Sequence, residues 1–142
     1  MDSQPYDASN TSCYCHWIED HVRFADLDPL GHCNHAVISG FFESSRVALF
    51  EAAGHRLGEH GRSLSIVRLL IEFRRELLYG TRVRIGARVL KLGRTSVTLG
   101  GAVFDGDQCA ATAEVVGVLI DLETRRPTEV PADLREQLSS YL

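Results

Sequence analysis

The chain has 142 residues, which is the length of one domain with a substantial core and too short for two domains of ordinary size. Hydrophobic residues make up 44% and charged residues 24%, as is typical of a soluble globular protein. A formal net charge of -4 excludes the overall basic field of a nucleic-acid-binding protein. No run approaches the roughly 20 apolar residues of a membrane span, so neither nucleic acid nor membrane is a predicted partner.

The N-terminal residues are polar and acidic. They have neither the basic region nor the apolar stretch of a secretory signal peptide. We therefore predict a disordered leader over residues 1–12 and a single domain over residues 13–142. Without a secretory route, the protein is expected to be cytoplasmic, with its four cysteines in the reduced state.

The first elements follow from hydrophobic periodicity. Alternating residues at 15–24 predict a strand. Apolar residues at helical spacing then predict a long helix from residue 35 to about residue 53. Asn34 is a suitable N-cap for this helix, and Gly54 is a natural residue to follow its last turn.

The second half of the chain is rich in predicted strands. Four further strands are predicted at residues 63–73, 81–92, 95–104 and 113–121. Turn sequences rich in Gly and Asp separate them, and Pro131 begins a short final helix. One early helix followed by several long antiparallel strands predicts an α+β domain in which the sheet wraps around the helix.

The segment from Arg23 to His35 concentrates the polar chemistry of the chain. It reads Arg-Phe-Ala-Asp-Leu-Asp-Pro-Leu-Gly-His-Cys-Asn-His and joins the first strand to the long helix. A helix N-terminus carries unpaired N–H groups and a partial positive charge, so it binds an oxyanion or polarises a carbonyl. A carboxylate held opposite such a terminus is suited to acyl transfer.

This segment resembles the motif of the 4-hydroxybenzoyl-CoA thioesterase family of hot-dog acyl-CoA thioesterases. The shared pattern is Phe-x-Asp-x-Asp-x-x-Gly-His-x-Asn, followed by Phe-Phe-Glu-Ser-Ser-Arg at residues 41–46. The resemblance implies a hot-dog fold and hydrolysis of an acyl-CoA thioester to a carboxylic acid and free CoA, without a cofactor. It also implies a homodimer whose sheets join edge to edge with each site at the subunit boundary, and a possible homotetramer.

The resemblance gives a role to each residue of the motif. Asp28 is the catalytic carboxylate, which either attacks the thioester carbonyl or deprotonates a water molecule. The backbone N–H of His35 is the oxyanion donor, while Gly31 and Asn34 shape the loop. His32 either orders the loop or is a structural histidine. The His35 side chain is a further candidate for proton transfer, although many relatives have Asn at that position.

Two other carboxylates and two other function classes stay open. Asp26 is predicted to fix the loop by accepting backbone N–H groups. Glu43 is the rival catalytic acid, because an acid on the central helix is catalytic elsewhere in the superfamily, and its spacing from Arg46 suits an intrahelical ion pair. The alternative classes are a dehydratase or hydratase acting on acyl thioesters and a non-catalytic acyl-CoA-binding protein.

The remaining candidates concern the ligand. Six arginines are candidates for contact with the phosphates of CoA: Arg62, Arg74, Arg75, Arg82, Arg84 and Arg88. Four apolar side chains are expected to line the acyl pocket: Phe41, Phe42, Leu64 and Ile66. The clusters Cys13-x-Cys15-His16 and His32-Cys33-x-His35 lack the usual Cys-x-x-Cys spacing, so no metal site is predicted. The acyl group itself is not specified by these residues.

Overall fold

The computed structural model describes residues 5–142, which form five strands and two α-helices with short 3-10 turns between them. The elements are β1 (His16–His21), α1 (His35–Ala52), β2 (Arg62–Phe73), β3 (Arg82–Leu92), β4 (Ser96–Asp105), β5 (Gln108–Asp121) and α2 (Ala132–Ser139). The strands form one antiparallel sheet in the order β1-β3-β4-β5-β2. Since α1 packs against this sheet, the predicted α+β hot-dog architecture is confirmed.

Helix α1 forms where the sequence predicts it. The Asn34 side chain accepts the Ala36 N–H at 2.8 Å, and Gly54 follows the helix with a φ of 81°. Five large side chains on the sheet-facing side are buried: Ile38, Phe41, Phe42, Leu49 and Phe50. No helix within residues 5–142 combines the length and the apolar character needed to cross a membrane.

Strand β5 is longer at its start than the sequence predicts. It begins at Gln108, whereas the predicted strand begins at residue 113. The extra residues include two alanines, which have low intrinsic strand propensity. They are nevertheless strand residues because β4 pairs with them across the turn that contains Gly106. Pairing with a neighbouring strand therefore decides this boundary.

The N-terminal segment lies against the sheet. Of the predicted disordered leader, residues 1–4 lie outside the described residues, whereas residues 5–12 make defined contacts. The Tyr14 hydroxyl donates to the Ala8 carbonyl at 2.7 Å and lies 3.2 Å from the Tyr6 hydroxyl. Tyr14 itself is buried in a second apolar cluster. Residues 5–12 therefore differ from the prediction, because aromatic burial offsets the entropy cost of ordering them.

Strand β2 is an edge of the sheet and, among residues 5–142, pairs with β5 alone. Its exposed apolar side chains are between 37% and 61% accessible: Ile66, Val67, Leu69, Leu70 and Phe73. An open edge presents unpaired N–H and C=O groups, and twelve residues are long for an exposed strand. The edge of β2 thus has the character of a surface that pairs with another strand.

Candidate active site

The Asp28 loop is a tight turn that holds its own carboxylate. Gly31 donates its N–H to the Asp28 carbonyl at 3.0 Å and has a positive φ of 81°, which glycine adopts readily. Asp28 Oδ1 accepts the N–H groups of Leu30 at 2.9 Å and His32 at 3.2 Å. Within residues 5–142, Oδ2 has no hydrogen-bond partner. The carboxylate is therefore held through one oxygen, while the other has no partner among the described residues.

Backbone bonds join this loop to the rest of the fold. Asp28 donates its N–H to the His32 carbonyl at 2.8 Å, which closes the loop. Cys33 donates to the Leu77 carbonyl at 2.8 Å, and Asn34 donates to the Asp26 carbonyl at the same distance. The position of Asp28 is thus set by the 3-10 turn at Phe24–Asp26 and by the segment that follows β2.

Asp26 is the structural carboxylate of the loop. The residue is only 3% exposed, and its Oδ1 accepts Arg23 Nη2 at 2.8 Å. Its Oδ2 accepts Arg23 Nε at 3.2 Å and the Arg23 backbone N–H at 2.8 Å. The predicted role of accepting a backbone N–H is confirmed. Hydrogen bonds from the Arg23 side chain are the main cause that holds the pKa of Asp26 below its usual range.

Asp26→Asn is expected to lower the free energy of unfolding by about 1–3 kcal/mol at neutral pH, because a charged acceptor is lost from a buried site. The folded-state pKa of Asp26 is lowered, so its carboxylate stabilises the fold above about pH 4. That stabilisation is lost as the pH falls through the folded-state pKa. Urea unfolding of both proteins at pH 7 and in acid should show a difference that shrinks in acid. A difference independent of pH would contradict this account.

The first turn of α1 leaves one N–H open. The Asn34 side chain takes the N–H of Ala36 at 2.8 Å. The Asn34 carbonyl takes the N–H groups of Val37 at 3.0 Å and Ile38 at 3.2 Å. For the His35 N–H, residues 5–142 provide no acceptor. A helix start normally has several N–H groups without an acceptor. Because Asn34 accepts three of them, the N–H left open is that of His35, the donor predicted to meet the oxyanion.

A cavity of about 700 Å³ adjoins this helix start and is lined by Asp28, His32 and His35. The His35 ring stacks on Phe73 at the end of β2, with ring centroids 3.8 Å apart and planes inclined by 13°. His32 Nε2 lies 3.0 Å from Glu76 Oε2. The structure thus brings three of the five predicted site residues to one cavity. Gly31 and Asn34 lie in the adjoining loop.

The apolar wall of the cavity differs from the prediction. Phe41 and Phe42 are buried in the main core. The Phe42 ring packs so closely on Gly101 that a Cβ added to this glycine would lie 3.3 Å from the ring. Leu64 packs over the sheet and Ile66 lies on the open edge, so none of the four lines this cavity. The apolar side chains that do line it are Leu30, Ile38, Phe73, Leu77 and Leu78.

Glu43 does not share the cavity with Asp28. It is exposed on α1 and lies 4.0 Å from Arg46 Nη2, which confirms the predicted intrahelical pair. It lines a separate surface groove beside Gly40 and Phe41. Within one chain, the geometry therefore favours Asp28 over Glu43 as the carboxylate that meets the helix start.

The six candidate arginines divide among several surfaces. Arg74 and Arg75 line the Asp28 cavity. Arg84 stacks over Trp17 at 4.3 Å, and the guanidinium of Arg88 lies 5.1 Å from the Tyr6 ring. The other two lie apart: Arg82 in a groove beside β1 and Arg62 in a second cavity.

The cysteines and histidines are not grouped as metal ligands. Within residues 5–142, no three side chains of His, Cys, Asp or Glu are arranged to hold a metal ion. Cys33 is buried, and burial raises the pKa of its thiol to about 11. Cys33 is therefore a poor nucleophile at neutral pH.

Comparison with known proteins identifies the family of the chain. Residues 22–138 match the thioesterase-like superfamily. The chloroplastic acyl-acyl carrier protein thioesterase ATL2 of Arabidopsis thaliana is 27% identical over 89% of this chain and 69% of its own length. A thioesterase from Thermus thermophilus, whose structure holds coenzyme A and zinc, is 30% identical with a TM-score of 0.75. That alignment covers 88% of this chain and 92% of the other.

A protein from Pseudomonas aeruginosa strain PAO1 extends the similarity in fold. It is 24% identical, with a TM-score of 0.86, and the alignment covers 93% of this chain and 94% of the other. The match to the superfamily spans the Asp28 loop, both helices and strands β2–β5. The chain therefore belongs to the thioesterase-like superfamily, and it is a thioester hydrolase.

Proposed function

We propose that the chain is an acyl-CoA thioesterase of the 4-hydroxybenzoyl-CoA thioesterase family. One observation carries the proposal: Asp28, with one oxygen fixed and the other free, shares a cavity with His35, whose N–H is open at the start of α1. The coenzyme A described with the Thermus thermophilus relative supports CoA as the carrier.

In the proposed mechanism the thioester carbonyl oxygen accepts the His35 N–H. The partial positive charge of the helix start then stabilises the oxyanion that forms when the carbonyl carbon is attacked. The attacking oxygen belongs either to Asp28 Oδ2 or to a water molecule that gives its proton to Asp28. Attack by water breaks the C–S bond, releases the CoA thiolate and gives the carboxylic acid directly. Attack by Asp28 also releases the CoA thiolate but leaves a mixed anhydride on Asp28, which a water molecule then hydrolyses to the carboxylic acid and the free Asp28 carboxylate.

The immobilised Asp28 oxygen explains why the turn matters to this chemistry. The backbone N–H groups of Leu30 and His32 hydrogen-bond to Oδ1 and hold it in place. The second oxygen therefore needs little reorganisation before it reacts. Asn34 supports the helix start by occupying the neighbouring N–H groups. These positions match the roles that the motif implies, with His32 and Glu76 forming a polar wall beside them.

We further propose that the protein forms a homodimer through β2. Antiparallel pairing of two β2 strands satisfies the open backbone groups and covers the exposed apolar side chains of the edge. Association of two such dimers gives the tetramer, and the cytoplasmic location stays a prediction.

The test is thiol release from a panel of aliphatic and aromatic acyl-CoA thioesters. We expect turnover of at least one member, and the best substrate will identify the acyl group. Enoyl-CoA and hydroxyacyl-CoA compounds belong in the panel, followed by absorbance and by mass. Conversion of these without thiol release would indicate a hydratase or dehydratase. Tight binding of a non-hydrolysable analogue together with no turnover of the panel would indicate a binding protein instead.

A further inference from the structure

The aromatic ring of Phe73 lies flat on the ring of His35. Their centroids are 3.8 Å apart, and their planes are inclined by 13°. Phe73 is the last residue of β2, where its backbone pairs with Ala111 of β5. The next N–H, that of Arg74, donates to the Ala110 carbonyl at 2.8 Å. Pairing with β5 therefore fixes the strand end on which the His35 ring lies.

The start of α1 buries no side chain in its first residues. Asn34, His35 and Ala36 are exposed, and the first buried residue of the helix is Ile38. The ends of a helix fray more readily than its middle, so an exposed first turn needs a contact that holds it. The stack on Phe73 joins this turn to the sheet at the residue whose N–H is open.

The two imidazoles of the Asp28 cavity are held in different ways. Glu76 Oε2 lies 3.0 Å from Nε2 of His32. Among residues 5–142, no carboxylate oxygen lies within 4.0 Å of a ring nitrogen of His35. A histidine that transfers protons is commonly oriented by a partner on its second nitrogen. His35 is oriented through the face of its ring instead, which is a contact that a ring without nitrogen could also make.

We infer that Phe73 is a positioning residue for thioester hydrolysis, which fixes the N–H of His35 by stacking on the His35 ring, an inference that rests on the proposed function. An oxyanion donor stabilises the transition state only when it is held at hydrogen-bond distance from the developing charge. A small displacement of the donor therefore slows the reaction. In this arrangement the His35 ring anchors the helix start and carries no proton during turnover.

The first test replaces the His35 ring in two ways. His35→Ala keeps the N–H and loses the stack, so kcat should fall about 10-fold, the effect that one aromatic contact can have on a barrier. His35→Phe restores a flat ring without nitrogen and should recover most of that loss, with the pH dependence of kcat unaltered. If the imidazole transfers a proton, His35→Phe would stay as slow as His35→Ala, which overturns the inference.

The second test removes the other ring of the stack. Phe73→Ala should also lower kcat about 10-fold, because the same contact is lost. Combining it with His35→Ala should cause no further loss, since either change alone breaks the contact. Phe73→Tyr keeps the ring and should recover most of the activity. Losses that add in the double variant would overturn the inference.

A control is needed because Phe73 also belongs to the exposed edge of β2. Leu69→Ala removes a side chain from the same face of the strand, and Leu69 does not line the Asp28 cavity. Leu69 is 41% exposed and Phe73 is 43% exposed. Sedimentation equilibrium gives the mass of each variant under assay conditions. At equal mass, Phe73→Ala should be slower than Leu69→Ala, and an equal fall in both would overturn the inference.

A measurement without substrate tests the stack itself. The NMR signals of the His35 ring protons are identified by their absence in His35→Phe. They should move to lower field in Phe73→Ala, because a stacked aromatic ring shields the protons that lie over its face. Unchanged signals would show that the rings are not stacked in solution and would overturn the inference.

Wild-type turnover separates the two proposals. If the wild-type protein hydrolyses no thioester of the panel, the proposed function fails and the inference fails with it. If the wild type is active and His35→Phe is no faster than His35→Ala, only the inference is overturned.

Discussion

Replacing Asp28 with asparagine is expected to lower kcat for thioester hydrolysis by about 10²- to 10⁴-fold while the protein stays folded. Asparagine retains an Oδ1 that accepts the N–H groups of Leu30 and His32, so the turn should persist. The amide cannot attack the carbonyl or take a proton from water at neutral pH. The loss should therefore appear in kcat more than in KM, because binding in the cavity is unchanged.

The measurement is thiol release on the best substrate of the panel, with thermal unfolding followed by circular dichroism. Asp107→Asn is the matched control, since Asp107 is exposed in the turn between β4 and β5 and far along the chain from the cavity residues. A variant with wild-type kcat would show that Asp28 only forms the turn. Glu43 would then be the next carboxylate to test.

The second large effect concerns the edge of β2. Leu70→Lys is expected to convert the dimer to a monomer at micromolar concentration, because each dimer would bury two ammonium groups in an apolar contact. Apposed like charges in an interface cost several kcal/mol, which corresponds to a rise in the dissociation constant of about 10³-fold or more. Loss of the dimer should also lower the thioesterase activity, since the proposed site lies at the subunit boundary.

Sedimentation equilibrium measures the mass of each variant. Leu142→Lys is the matched control, because Leu142 is also an exposed leucine but lies at the chain end. Its dissociation constant should equal that of the wild type. A wild-type protein that is already monomeric, or a Leu70→Lys variant that stays dimeric, would contradict pairing through β2.

Most of the fold could be predicted from the sequence because its signals are local. The period of α1, the Asn34 cap and the alternation in β3 are each contained within one element, and the structure reproduces them within one or two residues. The start of β5 could not be predicted in this way. Alanine-rich residues at 109–111 are strand only because β4 lies beside them.

The candidate site likewise contains residues that local sequence signals predict and residues that only the folded chain brings in. Asp28, Gly31, Asn34 and His35 belong to one continuous motif, so local turn and cap chemistry places them. Glu76 and the apolar wall come from the segment after β2, which meets the motif only in the folded chain. Phe41 and Phe42 were expected in the acyl pocket, yet their side of α1 faces the core. One sequence carries no signal for such long-range contacts.

The single open donor at the start of α1 has a consequence for how this enzyme can vary. A main-chain N–H is supplied by every residue except proline, so any other substitution at position 35 keeps the proposed oxyanion donor, whatever it does to the side chain. Proline is tolerated at the first position of a helix, so His35→Pro would remove this N–H and leave the helix intact. Scanning mutagenesis to alanine would miss such a group entirely. The Asn34 side chain is the residue-specific part of this arrangement, because its removal would leave the Ala36 N–H open as well.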